Sequence, residues 1–194
     1  MLYLASQSPR RRQLLRRLRR PFRVVRSTHR ETIRAGESPS HNAMRNAAGK
    51  ARAARLPRAA RGLVLGADTF LYFRGRIIGK PKTLAHARRM LAQLTGRSHW
   101  VYTGLCLCDI RSGRCRVSYT KSRVTFRRVT PEVIARYVAR IKPLDKAGGY
   151  AVQEDRGVLI ARIEGSRTNV VGLPMELLRR ELDMFSKAKW RSLT

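Results

Sequence analysis

Apolar residues along the chain alternate between two spacings. "LYLAS" at 2–6 and "FRVVR" at 22–26 read as short strands, and "GLVLGADTFLYF" at 62–73 is a longer β-prone run with an interruption at Gly66-Ala67-Asp68-Thr69. Segments 99–109 and 115–126, joined by a turn at "RSGR", predict a hairpin. Helical spacing places Leu14, Leu15 and Leu18 on one stripe, and Ala87, Met90, Leu91 and Leu94 on another. Ser8 before Pro9 and Thr130 before Pro131 are N-cap signals, and the alanine-rich stretch from Ser40 predicts a helix in which Gly49 is a weak point. "GVLIARIEG" reads as a late strand, and a closing helix begins near Pro174. Strands alternating with helices, with at least one hairpin, predict an α/β fold with a mixed sheet.

The chain has 194 residues, which suits one domain over 1–194, and a 43% hydrophobic content supports a folded core. No apolar run approaches the length of a membrane span and no signal-peptide core precedes Arg10, so the expected compartment is the cytoplasm. Charge alters the picture. There are 43 Lys+Arg against 12 Asp+Glu, a formal net charge of +31, and up to Thr130 the acids number only four: Glu31, Glu37, Asp68 and Asp109. Such a field attracts any polyanion with little discrimination, so an arginine by itself identifies nothing. Cys106, Cys108 and Cys115 are odd in number and lack CxxC spacing; their pattern in "LCLCDI" reads as strand packing, without a disulfide framework or zinc site.

Against that background the scarce acids are the informative residues. Asp68 lies within the most apolar stretch, where an unpaired carboxylate is costly, so a cation or a water to act on is expected, with a turn or cap as the alternative. A divalent cation would draw its oxygen ligands from these few acids, and Glu31 with Asp68 is the pair to consider, although Glu31 by itself equally suits a surface loop. "SPRRR" at 8–12 offers free backbone N–H groups at a helix start, with Arg10 and Arg11 as forked donors for phosphate or as ordinary solvated arginines. "GRIIGKP" fails as a P-loop, leaving Lys80 as a loop lysine within reach of a phosphate; Lys50 supports the same reading weakly. Gln153 follows a glycine pair and suits either a nucleobase edge or a structural amide. The four histidines show no metal or catalytic spacing, so packing or surface roles are expected for them.

Together these stretches resemble the Maf-like nucleoside triphosphate pyrophosphatases, relatives of the inosine triphosphate pyrophosphatase group. The resemblance rests on "LASQSPRR" at 4–11, Glu31, "KA" at 50–51, "GADT" at 66–69, "GKP" at 79–81, "LTGRSH" at 94–99, "PLDKAGGYAVQ" at 143–153 and "NVVGLP" at 169–174. It implies a mixed, twisted sheet with flanking helices, in two lobes around a central cleft, often as a homodimer. It also implies hydrolysis of a nucleoside triphosphate to monophosphate and pyrophosphate with a divalent cation, Mg2+ or Mn2+. On that footing Asp68 accepts the proton of the attacking water, Glu31 and Asp68 hold the metal, and Ser8, Arg11, Lys50 and Lys80 grip the phosphates. Arg10, Thr69 and Gln153 match the specificity positions of the branch acting on dTTP and UTP. The branch preferring 7-methyl-GTP carries Trp after "SP" and Gln after the Asp. The rival from another class is a basic nucleic-acid-binding protein on the same fold; 7% aromatic content and the lack of an RNP or KH signature weigh against it.

Overall fold

The computed structural model describes residues 1–191. Strands β1 (Leu2–Leu4), β2 (Phe22–Val24), β3 (Leu63–Phe73), β4 (Arg76–Ile78), β5 (Ser98–Asp109), β6 (Cys115–Phe126) and β7 (Ile160–Glu164) form one mixed sheet in the order β2-β1-β3-β5-β6-β7, with β4 paired to β3. Helices α1 (Pro9–Arg16), α2 (Pro39–Arg52), α3 (Leu84–Leu94), α4 (Pro131–Ile141), α5 (Arg167–Val171) and α6 (Met175–Arg191) intervene. Among the described residues, no helix is long and apolar enough to cross a membrane. The chain divides into two compact units. The first comprises 1–68, 103–120 and the segment from 172 onward; the second comprises 69–102 and 121–171.

In the first unit β1 lies parallel to both β2 and β3, with Leu4 opposite Val24 and Leu65. Parallel strands require crossovers, and α1 and α2 lie in the connecting segments. α1 has the expected start, with Ser8 Oγ accepting from Arg11 N, while α2 begins one residue before the expected Ser40, with Ser38 Oγ accepting from His41 N; each cap is followed by proline. The apolar centre of this unit contains Tyr3, Ala5, Ala47, Ala51, Val64 and Cys106.

β3 runs unbroken from 63 to 73, in contrast to the interruption the sequence suggested at 66–69. Gly66 is the reason. A Cβ there would collide with the Ala47 carbonyl, and one on Gly104 of β5 would collide with the backbone of Ala43. The two glycines let α2 lie directly on the strands, so they serve close approach and do not mark a turn.

In the second unit β4 pairs antiparallel with β3, and β7 pairs antiparallel with β6, with Val124 opposite Ile163. Leu91, Leu94, Val124, Phe126, Val138 and Leu159 are buried in its core. The apolar stripe of α3 (Ala87, Met90, Leu91, Leu94) is buried as its spacing predicts. At the start of α4, Thr130 makes no side-chain cap to the backbone; its hydrogen bond goes to the Glu132 carboxylate, which lies below its usual range for that reason first.

One expectation is corrected. Cys108 and Cys115 form a disulfide with a Cα–Cα distance of 4.1 Å. Asp109 N donates to Arg114 O, so the hairpin register sets Cys108 opposite Cys115. Cysteine spacing along the chain does not reveal that register.

Candidate active site

Asp68 lies on β3, 3% exposed. Its Oδ1 is 2.6 Å from Lys50 Nζ, which also donates to the Ala67 carbonyl and lies 2.6 Å from Glu31 Oε1. One buried ammonium thus joins the two carboxylates that the sequence singled out. Lys50, expected at the phosphates, is engaged with both acids. The pairing has an electrostatic logic, because a buried carboxylate without a counter-charge would be strongly unfavourable.

Glu31 sits on a loop without regular structure, so its position has to be imposed. Two buried asparagines of α2, four residues apart and therefore on one face, do this. Asn46 Oδ1 accepts from Thr32 N and is 3.1 Å from His29 Nε2, while its Nδ2 donates to Thr32 O. Asn42 Oδ1 accepts from Arg34 N, and its Nδ2 reaches the carbonyls of Arg34, Glu37 and Ser38. Arg45 adds a charged clamp, with Nε 3.0 Å from Glu37 Oε2 and Nη1 2.7 Å from Thr32 Oγ1. The sequence reading missed these residues. "HNAMRNAAGK" contained a signal in the form of Asn at i and i+4 on the same alanine-rich helix face as Lys50.

Arg11, at the first turn of α1, is buried, unlike the solvated Arg16 and Arg17. Its Nε donates to Gly172 O at 2.8 Å and Nη1 to Ser6 Oγ at 3.2 Å. Burial lowers its pKa, and the negative charges of Asp68 and Glu31 act in the opposite direction. The guanidinium therefore lies in the field of both acids. Ser8 caps the helix and its N donates to Ser6 Oγ; Arg10 is half-buried beside Arg11.

These five residues, Ser8, Arg11, Glu31, Lys50 and Asp68, with Arg10, belong to the first unit; Thr69, Lys80 and Gln153 belong to the second. Thr69 is half-buried on β3. Lys80 is exposed in the loop after β4, whose Gly79 carbonyl accepts from Gly148 N at 3.0 Å. Gly148 and Gly149 take φ of 75° and 76°, the conformation expected of the glycine pair before Gln153. Beneath that turn His99 Nε2 meets the Tyr150 hydroxyl at 2.8 Å, with its imidazole held neutral and its pKa lowered to about 3 by burial. Gln153 lines a cavity of about 500 Å³ together with Arg156, Arg162 and Arg167. Asp155, on the same wall, accepts from Leu159 N and Ile160 N, so its carboxylate is committed to the backbone.

Whether the site suits a divalent cation is answered by Asp68 itself. Its Oδ2 is buried and has no hydrogen-bond partner, while Oδ1 is held by Lys50. An anionic oxygen left over in a buried site, with a second carboxylate on the same lysine, fits a hard cation.

A capped helix start, a buried arginine and a lysine-bridged carboxylate pair in one unit of an α/β protein form a set of groups suited to binding phosphate. The chain is a member of the Maf-like protein family, which it matches over residues 1–185. It is 45% identical over 191 residues to a dTTP/UTP pyrophosphatase of Moorella thermoacetica, covering 97% of each chain. A dTTP/UTP pyrophosphatase of Syntrophus aciditrophicus is 45% identical over 95% of this chain and 90% of its own, and one of Gloeobacter violaceus is 46% identical over 91% and 92%.

Proposed function

We propose that this protein hydrolyses dTTP and UTP to the monophosphate and pyrophosphate, with Asp68 as proton acceptor. The observation that carries this reading is the buried, unpartnered Asp68 Oδ2 beside an ammonium that neutralises the rest of the carboxylate. The same activity names the relatives just described.

The residues divide the work. Arg11 and Arg10, with the N–H groups opening α1 and with Lys80, bind the triphosphate oxygens, while Ser8 fixes the helix start. Asp68 orients a water and its carboxylate takes the proton as the water oxygen bonds to the α-phosphorus; the bond from that phosphorus to the β-phosphate oxygen breaks, and pyrophosphate leaves. Lys50 holds Asp68 and Glu31 in place. Glu31 and Asp68 would hold Mg2+ or Mn2+, which when bound supplies charge neutralisation at the phosphate oxygens. Thr69 and Gln153 select the base, the carboxamide pairing with O4 and N3–H of uracil or thymine. A homodimer and residence in the cytoplasm belong to the same proposal.

The test is pyrophosphate release from dTTP, UTP, CTP, dGTP and 7-methyl-GTP with Mg2+ or Mn2+, run beside Asp68→Asn. Turnover led by dTTP and UTP and reduced by about 100-fold or more in the variant is expected. No release from any nucleotide, together with steeply salt-dependent DNA binding, would replace the proposal with the nucleic-acid reading.

A further inference from the structure

The hairpin between β5 and β6 brings together three sulfur atoms that the hydrolytic reaction does not use. Cys106 and Cys108 are two residues apart on β5 and share a face, while Cys115 faces Cys108 from β6. Cys106 Sγ is 3.5 Å from Cys108 Sγ, and all three sulfurs lie within 4.8 Å of one another. Three thiolates around one ion at about 2.3 Å each would stand about 4 Å apart; Cys106 and Cys108 are already near that spacing, and Cys108 and Cys115 reach it once their S–S bond is reduced.

The surroundings favour a particular class of ion. Cys106 is fully buried among Tyr3, Ala47, Ala51 and Val64, and among the described residues no histidine or carboxylate joins the cluster. Zinc in such a place lacks the fourth ligand that its tetrahedral structural sites require. Soft monovalent copper, which thiolates select, does not need one. Burial pushes the Cys106 thiol up to about 11, so the ion itself must displace its proton, and Arg52 offsets part of that cost with positive charge.

We propose that Cys106, Cys108 and Cys115 in their reduced form bind one Cu(I) ion. The Cys108–Cys115 disulfide and the loaded site exclude each other. A dithiol or phosphine reductant gives the S–S bond two electrons and, with two protons, converts it to two thiols, the reductant itself being oxidised. Cu(I) then displaces thiol protons to solvent. The site lies under Ala47 and Ala51 of α2, the helix that carries Lys50, so it is part of the packed scaffold and is not a surface thiol pair.

The experiment is anaerobic titration of the reduced full-length chain with Cu(I) against a competing chromogenic chelator, with stoichiometry read by native mass spectrometry. One ion per chain is expected. Cys106→Ala and Cys115→Ala should each weaken binding by more than the roughly 10–100-fold that loss of an outer contact costs. Protection of all three thiols from alkylation in the loaded protein is the second readout, valid even if Cys106→Ala folds poorly. Cys106→Ala binding within about threefold of wild type, failure of the reduced wild type to compete with the chelator, or stronger retention of Zn(II) than of Cu(I) would each overturn the proposal.

Discussion

The imidazole of His29 occupies the space in which a side chain on Gly49 would begin. Gly49 interrupts an alanine-rich helix, and propensity alone marks it as a defect costing about 1 kcal/mol. Its role is to let the His29 ring lie against α2, one position before Lys50, where Asn46 receives it.

Gly49→Ala should therefore destabilise the protein although alanine is the better helix former, by about 1–3 kcal/mol as overpacking does. It should also reduce turnover, because the loop carrying Glu31 is displaced. Urea denaturation and steady-state kinetics check this, with His29→Ala in the same chain as the control. If the double variant does not recover stability, the contact is not the cause.

Lys50→Ala leaves Asp68 buried without its ammonium. Breaking a buried pair from one side costs about 3–5 kcal/mol. Asp68→Asn added to that variant should restore part of the loss, since the uncompensated charge is gone. A double-mutant cycle on urea-derived stabilities measures the coupling, and strictly additive losses would contradict the pairing in solution.

His99 makes stability depend on pH in a direction that can be worked out. The folded protein holds it neutral down to about 3, whereas the unfolded chain protonates it below its ordinary value of 6.5. The unfolded state thus binds more protons between these limits, and stability falls with falling pH by up to about 1.4 kcal/mol per unit. His99→Phe should remove that component. The check is the difference in pH dependence between the two proteins from pH 7 to 4; parallel curves would show that His99 contributes nothing.

Substituting Gln153 by Ala should lower kcat/KM for dTTP and UTP by about 10–100-fold, the value of one or two hydrogen bonds to a base. CTP, which presents an amino group at the 4-position, should be little affected. An equal loss for all three nucleotides would move Gln153 from base recognition to loop structure.

What the sequence disclosed follows from how local each determinant is. The cap at Ser8, the stripe on α3 and the hairpin at 110–114 are set by neighbours a few residues apart, and the structure has them where the pattern predicts. Asp68 and Glu31 stood out because acids are scarce in an unusually basic chain. Lys50 was legible as a candidate, but its engagement with two carboxylates depends on the tertiary approach of α2 to β3, which Gly66 permits. The disulfide was hidden for a related reason, since strand register is invisible in spacing. Asn42 and Asn46 were overlooked because buried amides matter through partners up to 17 residues away.

The Nε of Arg11 is held by the carbonyl of Gly172, 161 residues later in the chain. During synthesis the first helix emerges early, yet the contact that aims its arginine has no partner until nearly nine-tenths of the polypeptide has been made. A ribosome-stalled chain ending before residue 172 should therefore lack nucleotide turnover even where its α1 and α2 have formed. The contact that orients a residue of the first helix is thus among the last that synthesis makes available.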